Sequence, residues 1–112
     1  MPNDKVVKYY KVKGSESKYL KAEIYYALGG HNYFTSRNES RGYYISVSPV
    51  ERARGMESYT AFTGLKQCIL PVQRKSQKKM NEAVAYFNEH ILEFISNHFS
   101  EFDVDVENYE VM

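Results

Sequence analysis

The chain has 112 residues, of which 43% are hydrophobic and 26% are charged, close to the average of globular proteins. This length predicts one domain over residues 1–112, and the composition argues against a disordered polymer. No apolar run approaches the roughly 18 residues of a membrane helix, and the first residues lack the apolar core of a secretory signal. The single cysteine, Cys68, excludes an internal disulfide and a cysteine-based zinc cluster. We therefore expect a cytoplasmic protein without a membrane partner and without a cofactor.

Aromatic residues are unusual in kind, because there are 11 Tyr and 6 Phe but no Trp. Tyrosine favours half-buried strands, where its ring packs and its hydroxyl finds a partner. It is also enriched at binding surfaces. The composition therefore predicts a tyrosine-rich sheet, and it leaves open whether the tyrosines are structural or bind a ligand.

The charges are strongly segregated along the chain. Residues 1–79 hold all 15 Lys and Arg but only six acids, a net charge of +9, whereas residues 80–112 hold eight acids and no Lys or Arg. Two consequences follow from such an asymmetry. The acidic end is expected to lie against the basic part of the chain, and the basic part is expected to bind an anionic partner.

The first half of the chain alternates strand patterns with turn residues. Residues 6–13 and 19–28 predict a hairpin around the turn at 14–17, and the second of these strands alternates apolar and polar side chains with period two. Gly29 and Gly30 predict a tight reversal. The next predicted segments are a short strand start, a polar loop and a further strand with Pro49 at its end or on a sheet edge, at 33–35, 36–42 and 43–50.

The second half begins with a charged loop at 51–58, followed by strand pieces at 59–63 and 65–72 that Gly64 divides. Pro71 indicates a strand end or a sheet edge. An amphipathic helix of about 20 residues or more follows, with Ser76 as the candidate N-cap. Its apolar residues recur at steps of three and four: Met80, Ala83, Val84, Phe87, Ile91, Phe94, Ile95 and Phe99.

Residues 101–107 alternate acidic and apolar side chains. This segment is either a last strand or an acidic tail, and strict alternation favours the strand. Strands grouped before one long helix are typical of the α+β class. The sequence thus predicts a mainly antiparallel sheet of four or five strands, packed against one long C-terminal helix.

Catalytic and metal-binding patterns are weak. His90 and His98 lie eight residues apart, whereas helical metal ligands are spaced by three or four, and His31 is remote in sequence. No nucleophile elbow, phosphate loop or HExxH motif occurs. Cys68 lies in an apolar strand and is expected to be a buried structural thiol. We therefore expect a non-catalytic protein, with a small enzyme as the third alternative.

Basic residues cluster in two loops and around the predicted helix start. Cations in loops beside a tyrosine-rich sheet suit nucleic acid or another polyanion, because they meet phosphates while rings stack on bases. The helix start adds backbone N–H groups and a partial positive charge. The alternative is a protein-binding inhibitor or accessory factor. The candidate anion-binding or nucleic-acid-binding residues are Arg37, Arg41, Arg52, Arg54, Arg74, Lys75, Lys78 and Lys79.

Three stretches carry a resemblance to a known group of proteins. They are Tyr25–Phe34, Arg41–Val50 and Ser58–Phe62. The region from Tyr25 to Lys79 resembles small uncharacterised proteins carried on conjugative elements and prophages of gut Firmicutes. The resemblance implies a cytoplasmic bacterial protein encoded on a mobile element, and it transfers no catalytic residue.

Overall fold

The computed structural model of the chain describes residues 5–33, 36–59 and 64–111, and contains eight strands and one helix. The strands are β1 (Lys5–Val12), β2 (Lys18–Ala27), β3 (Gly30–Asn32), β4 (Arg37–Glu39), β5 (Gly42–Ala53), β6 (Met56–Tyr59), β7 (Leu65–Pro71) and β8 (Val104–Val111), and the helix is α1 (Gln77–His98).

Six of the strands form one antiparallel sheet, in the order β6-β5-β2-β1-β8, with β7 also paired to β5. Strands β3 and β4 form a separate two-stranded hairpin. The predicted α+β fold, an antiparallel sheet on one C-terminal helix, is confirmed. The sheet has six strands instead of four or five, because β5 is long enough to pair with β7 over 42–47 and with β6 over 50–53.

The core lies between α1 and one face of the sheet. Alternate residues of β2 and β5 point to the helix, and the apolar stripe of α1 covers them. Each fully buried large side chain contributes about 1.5–3 kcal/mol through loss of apolar contact with water. The most buried large residues of this layer are Tyr10, Leu20, Ile24, Tyr43, Ile45, Val47, Phe87 and Ile91.

The start of the helix is fixed to the sheet through its cap. The hydroxyl of Ser76 accepts a hydrogen bond from the Lys79 backbone N–H at 3.1 Å, as predicted for the N-cap. The hydroxyl of Tyr43 donates to the carbonyl of Ser76 at 3.2 Å and lies 3.3 Å from its N–H, which donates to it. A buried side chain of β5 therefore determines where the helix begins.

The predicted loop at 51–58 is wrong, because this segment is the hairpin of β5 and β6. Arg54 and Gly55 have φ values of 54° and 76°, and two consecutive left-handed residues form the type I′ turn that joins two strands tightly. Strand β5 also runs through Pro49 instead of ending there. In the described register, Pro49 falls between the stretch that pairs with β7 and the stretch that pairs with β6.

Other boundaries also differ from the sequence pattern. The expected loop at 36–42 contains β4, and Tyr33 lies in the turn of the β3–β4 hairpin, where a strand start was expected. Residues 34–35 and 60–63 fall outside the described part of the chain, so the strand prediction for 59–63 is met only by Tyr59, which ends β6. Pro71 ends β7, as predicted.

The acidic end of the chain forms the last strand. Strand β8 pairs antiparallel with β1, and Val104 is buried against the core. The backbone N–H of Lys13 donates to the carbonyl of Asp103 at 2.7 Å, and the Lys13 ammonium lies 3.7 Å from the Asp103 carboxylate. The strand interpretation of this segment is therefore correct, and the acidic end lies against a strand that carries lysines.

Candidate polyanion-binding site

The eight predicted binding residues fall at two ends of β5. Six of them surround the helix start and the β3–β4 hairpin, where β5 begins; we call this group the basic end, and it comprises Arg37, Arg41, Arg74, Lys75, Lys78 and Lys79. Arg52 and Arg54 lie at the other end of β5. Eleven residues separate Arg41 from Arg52, and an extended strand of that length spans roughly 35 Å. The fold therefore does not gather all eight residues into one site.

Arg41 joins three segments at the basic end. Its Nε–H donates to the carbonyl of Leu28 at 3.3 Å, and an Nη1–H donates to the carbonyl of Gln73 at 3.4 Å. The hydroxyl of Tyr26 donates to the same Gln73 carbonyl at 3.2 Å, and the Val72 N–H donates to the Arg41 carbonyl at 3.1 Å. These bonds hold the segment that leads into the helix beside the end of β2 and the start of β5.

A glycine permits this close packing. Gly29 has a φ of 73°, and a Cβ on it would lie 2.5 Å from the carbonyl oxygen of Glu39. No other residue fits without backbone movement, because both the conformation and the space are restricted. The Gly29-Gly30 pair of the sequence thus lets the chain leave β2 directly against the residues that precede β5.

The first turn of the helix carries cations and no acidic residue. Arg74, Lys75 and Lys78 have exposed side chains, and Lys79 forms an ion pair with Glu82 at 3.2 Å. Cations near a helix N-terminus oppose the helix dipole and typically cost a few tenths to about 1 kcal/mol each. The arrangement is therefore unfavourable for the isolated helix and favourable for an anion at this end.

The face of the sheet opposite α1 carries a polar network that the sequence pattern did not single out. No described element packs over this face, which we call the open face. The Lys21 ammonium donates to Glu57 Oε2 at 2.7 Å and lies 3.2 Å from Glu23. Burial would lower the pKa of Lys21, but the hydrogen bonds to both carboxylates outweigh it and raise the pKa. Lys21 therefore stays protonated in the middle of the sheet.

Glu57 is the second centre of this network. Its Oε1 accepts a hydrogen bond from the Tyr9 hydroxyl at 2.6 Å. Burial alone would raise the pKa of Glu57, but the hydrogen bonds from Lys21 and Tyr9 reverse the effect and lower it. Burial also raises the pKa of Tyr9. The alternation that puts Lys21 on the polar side of β2 was visible in the sequence, but its pairing with Glu57, 36 positions away, was not.

Tyrosine rings and cations alternate over the rest of the open face. The Arg52 guanidinium lies 4.2 Å from the centroid of the Tyr9 ring, and Lys66 Nζ lies 4.7 Å from that of Tyr44. Lys66 also pairs with Glu39 at 2.9 Å. The middle of the open face is thus neutralised by its own carboxylates. Its attraction for a polyanion is weaker than that of the basic end.

The histidines and the cysteine form no metal site in the described ranges, where no group of three or more His, Cys, Asp or Glu could hold an ion. His90 lies 3.7 Å from Glu93 and stacks at 4.2 Å on Tyr86. Cys68 is half-buried opposite Tyr44, so the expectation of a fully buried thiol is wrong. The twist at the β5–β7 bulge leaves this edge position partly open.

The chain matches no model of a known protein family, no curated protein and no solved structure. The resemblance to proteins of conjugative elements and prophages stays a prediction. Among the described residues, no helix has the length and apolar character needed to cross a membrane.

Proposed function

We propose that the protein is a non-catalytic binding domain whose ligand is a nucleic acid or another polyanion, bound at the basic end. One observation carries the proposal. The Arg41 guanidinium, hydrogen-bonded to the carbonyls of Leu28 and Gln73, fixes the segment before the helix against the start of β5. Cations from β4, from the residue before β5 and from the helix start therefore share one end of a rigid scaffold.

The charge balance of the basic end supports a polyanion. Its six cations are accompanied in the described structure by Glu82, which pairs with Lys79. The N–H groups of the first helical turn point to the same side as the helix start. A phosphate chain would meet charged side chains and backbone donors together, which offsets the cost of placing cations there.

The proposal predicts a measurable dependence of affinity on salt. The logarithm of the binding constant falls with the logarithm of salt concentration, by about 0.7 per phosphate contact for single strands and about 0.9 for duplexes. Replacing Arg74, Lys75 and Lys78 by Gln removes three contacts. It should therefore lower this slope by roughly 2 to 3 units and weaken binding at low salt.

Fluorescence anisotropy with labelled 20-nucleotide DNA and RNA, single-stranded and duplex, measures both quantities. The matched control is the Lys11, Lys13 and Lys18 triple Gln variant, which changes the charge equally but acts at the opposite end of β2. Both triple variants go from a formal net charge of +1 to −2. If both weaken binding to the same extent, net charge alone is responsible and the basic end is not the site.

A protein partner is the second candidate, and one observation favours it. In the described structure β8 is the outer strand of its side of the sheet, and it exposes Tyr109 and Val111. An outer strand can pair with an extended segment of another protein. Under this alternative the anisotropy experiment detects no binding to any of the nucleic acids. Retention on heparin at low salt is then also no stronger for the wild type than for the Arg74, Lys75 and Lys78 variant.

A further inference from the structure

A groove of about 500 Å³ lies beside the β5–β6 turn, at the opposite end of β5 from the basic end. A volume of this size is in the range of small-molecule binding sites. Strand β1, the start of β2 and the β5–β6 hairpin supply its walls. The side chains that line it are Tyr9, Tyr19, Arg52, Arg54, Met56 and Glu57.

Arg52 is held flat in this groove. Its guanidinium carbon lies 4.2 Å from the centroid of the Tyr9 ring and 5.5 Å from that of Tyr19. Its backbone N–H donates to the carbonyl of Ser17 at 2.8 Å, which fixes the strand at this point. A guanidinium that lies on a ring presents its other planar face outward, and such a face stacks on aromatic groups.

The carboxylate in the groove does not oppose an anion strongly. Glu57 Oε1 accepts from the Tyr9 hydroxyl at 2.6 Å, and Oε2 accepts from the Lys21 ammonium at 2.7 Å. Its charge is therefore balanced from within the sheet. Arg52 and Arg54 give the lining an excess of positive charge.

Arg54 is positioned by the turn. Its φ of 54°, followed by 76° at Gly55, makes the tight reversal between β5 and β6 and leaves the Arg54 side chain exposed at the rim. Guanidinium groups bind phosphate oxygens with two parallel hydrogen bonds. A flat cation inside the groove and a second cation at its rim are therefore arranged for a ligand with a planar part and an anionic part.

We propose that this groove binds a nucleotide, with the base stacked on Arg52 and Tyr19 and the phosphate bound by Arg54. The inference does not rest on the function proposed for the basic end, because the two sites share no residue. A bare anion would leave the stacking surface unused, and an uncharged aromatic compound would leave Arg54 unused.

NMR titration of the isotopically labelled protein tests the proposal, with AMP, adenosine and inorganic phosphate as separate probes. AMP should shift the backbone signals of residues 52–57 and of Tyr9 and Tyr19, with saturation. Adenosine and phosphate should each bind at the same residues roughly tenfold or more weakly. The proposal is overturned if AMP does not saturate, if its shifts cluster at the basic end, or if phosphate binds as tightly as AMP.

Two variants separate the contributions of the two arginines. Arg54→Gln should weaken AMP binding roughly tenfold and leave adenosine binding unchanged, since only the phosphate contact is lost. Arg52→Lys keeps the charge but not the plane, so both AMP and adenosine should bind more weakly. Arg37→Gln, at the other end of β5, is the control for net charge. Wild-type AMP affinity in Arg54→Gln, whose exposed position preserves the fold, would contradict the proposal.

The Arg74, Lys75 and Lys78 triple Gln variant distinguishes this site from the basic end. It should bind AMP as the wild type does even when its affinity for nucleic acid is reduced. Loss of AMP binding in that variant would assign the nucleotide to the basic end and refute the groove as its site.

Discussion

Replacing Phe87 by Ala tests whether the helix stripe holds the core together. Phe87 is 0% exposed in the middle of α1, and the Lys8 ammonium lies 5.3 Å from the centroid of its ring. Phe→Ala in a core costs about 3–5 kcal/mol through lost burial and the cavity left behind. Loss of the cation–π contact with Lys8, which is itself buried, adds to that cost. We therefore expect a value in the upper half of this range.

The expected loss corresponds to a large change in melting temperature. The entropy of unfolding is about 2.1 cal/mol/K per residue, or roughly 0.24 kcal/mol/K for a chain of this length. A destabilisation of about 4 kcal/mol then lowers Tm by roughly 17 °C. Urea and thermal unfolding followed by circular dichroism measure both quantities, provided that the transition is two-state.

Leu92→Ala is the matched control, because Leu92 lies on the same helix and is 43% exposed. It should cost less than about 1 kcal/mol, since its side chain is already partly in water. If Phe87→Ala also costs less than about 1 kcal/mol, the stripe does not pack against the sheet as described. Equal costs for the two variants would likewise refute the argument from burial.

Three further predictions concern the sheet and its polar network. Deleting residues 101–112 removes β8 and uncovers Tyr10, so Tm by circular dichroism should fall clearly; an unchanged Tm would mean that β8 adds no stability. Because the folded-state pKa of Glu57 lies below its ordinary 4.5, its stabilisation is present above that pH and is lost as pH falls through the lowered value. Between pH 7 and 3, Tm should therefore drop more for the wild type than for Glu57→Gln, and parallel curves would contradict the network. Gly29→Ala should destabilise by more than Gly14→Ala in urea unfolding, since both have positive φ but only Gly29 meets backbone within 4 Å; equal losses would show that space is not limiting.

The sequence predicted the elements that depend on local pattern. Helix α1 and its Ser76 cap follow from the spacing of apolar residues and from one hydroxyl, and β2 follows from strict alternation. The β5–β6 hairpin was missed because its polarity resembles a loop. Its turn, Arg54-Gly55, has only one glycine to indicate the left-handed conformation that two residues adopt. The passage of β5 through Pro49 depends on which strands pair beside it, which is a property of the whole sheet.

The site was predictable in composition and not in arrangement. The eight candidate cations could be read directly, but their division between two ends of β5 follows from the length of that strand and from the position of the helix start. The contacts of Arg41 with Leu28 and Gln73 join residues 13 and 32 positions away. The Lys21–Glu57 pair likewise depends on strand order, which local sequence does not encode.

The pairing of β1 with β8 has a consequence for how the chain is made. During synthesis β1 emerges first, and its outer partner emerges only after the helix. Until then one edge of β1 lies open, in a segment where unpaired strands are prone to join other chains. Lysines at Lys5, Lys8, Lys11 and Lys13 give that edge a repeated positive charge, and lysine on an edge strand discourages pairing between identical chains. The late, acidic β8 is attracted to the same lysines, so the charges that keep nascent chains apart also select the strand that completes the sheet.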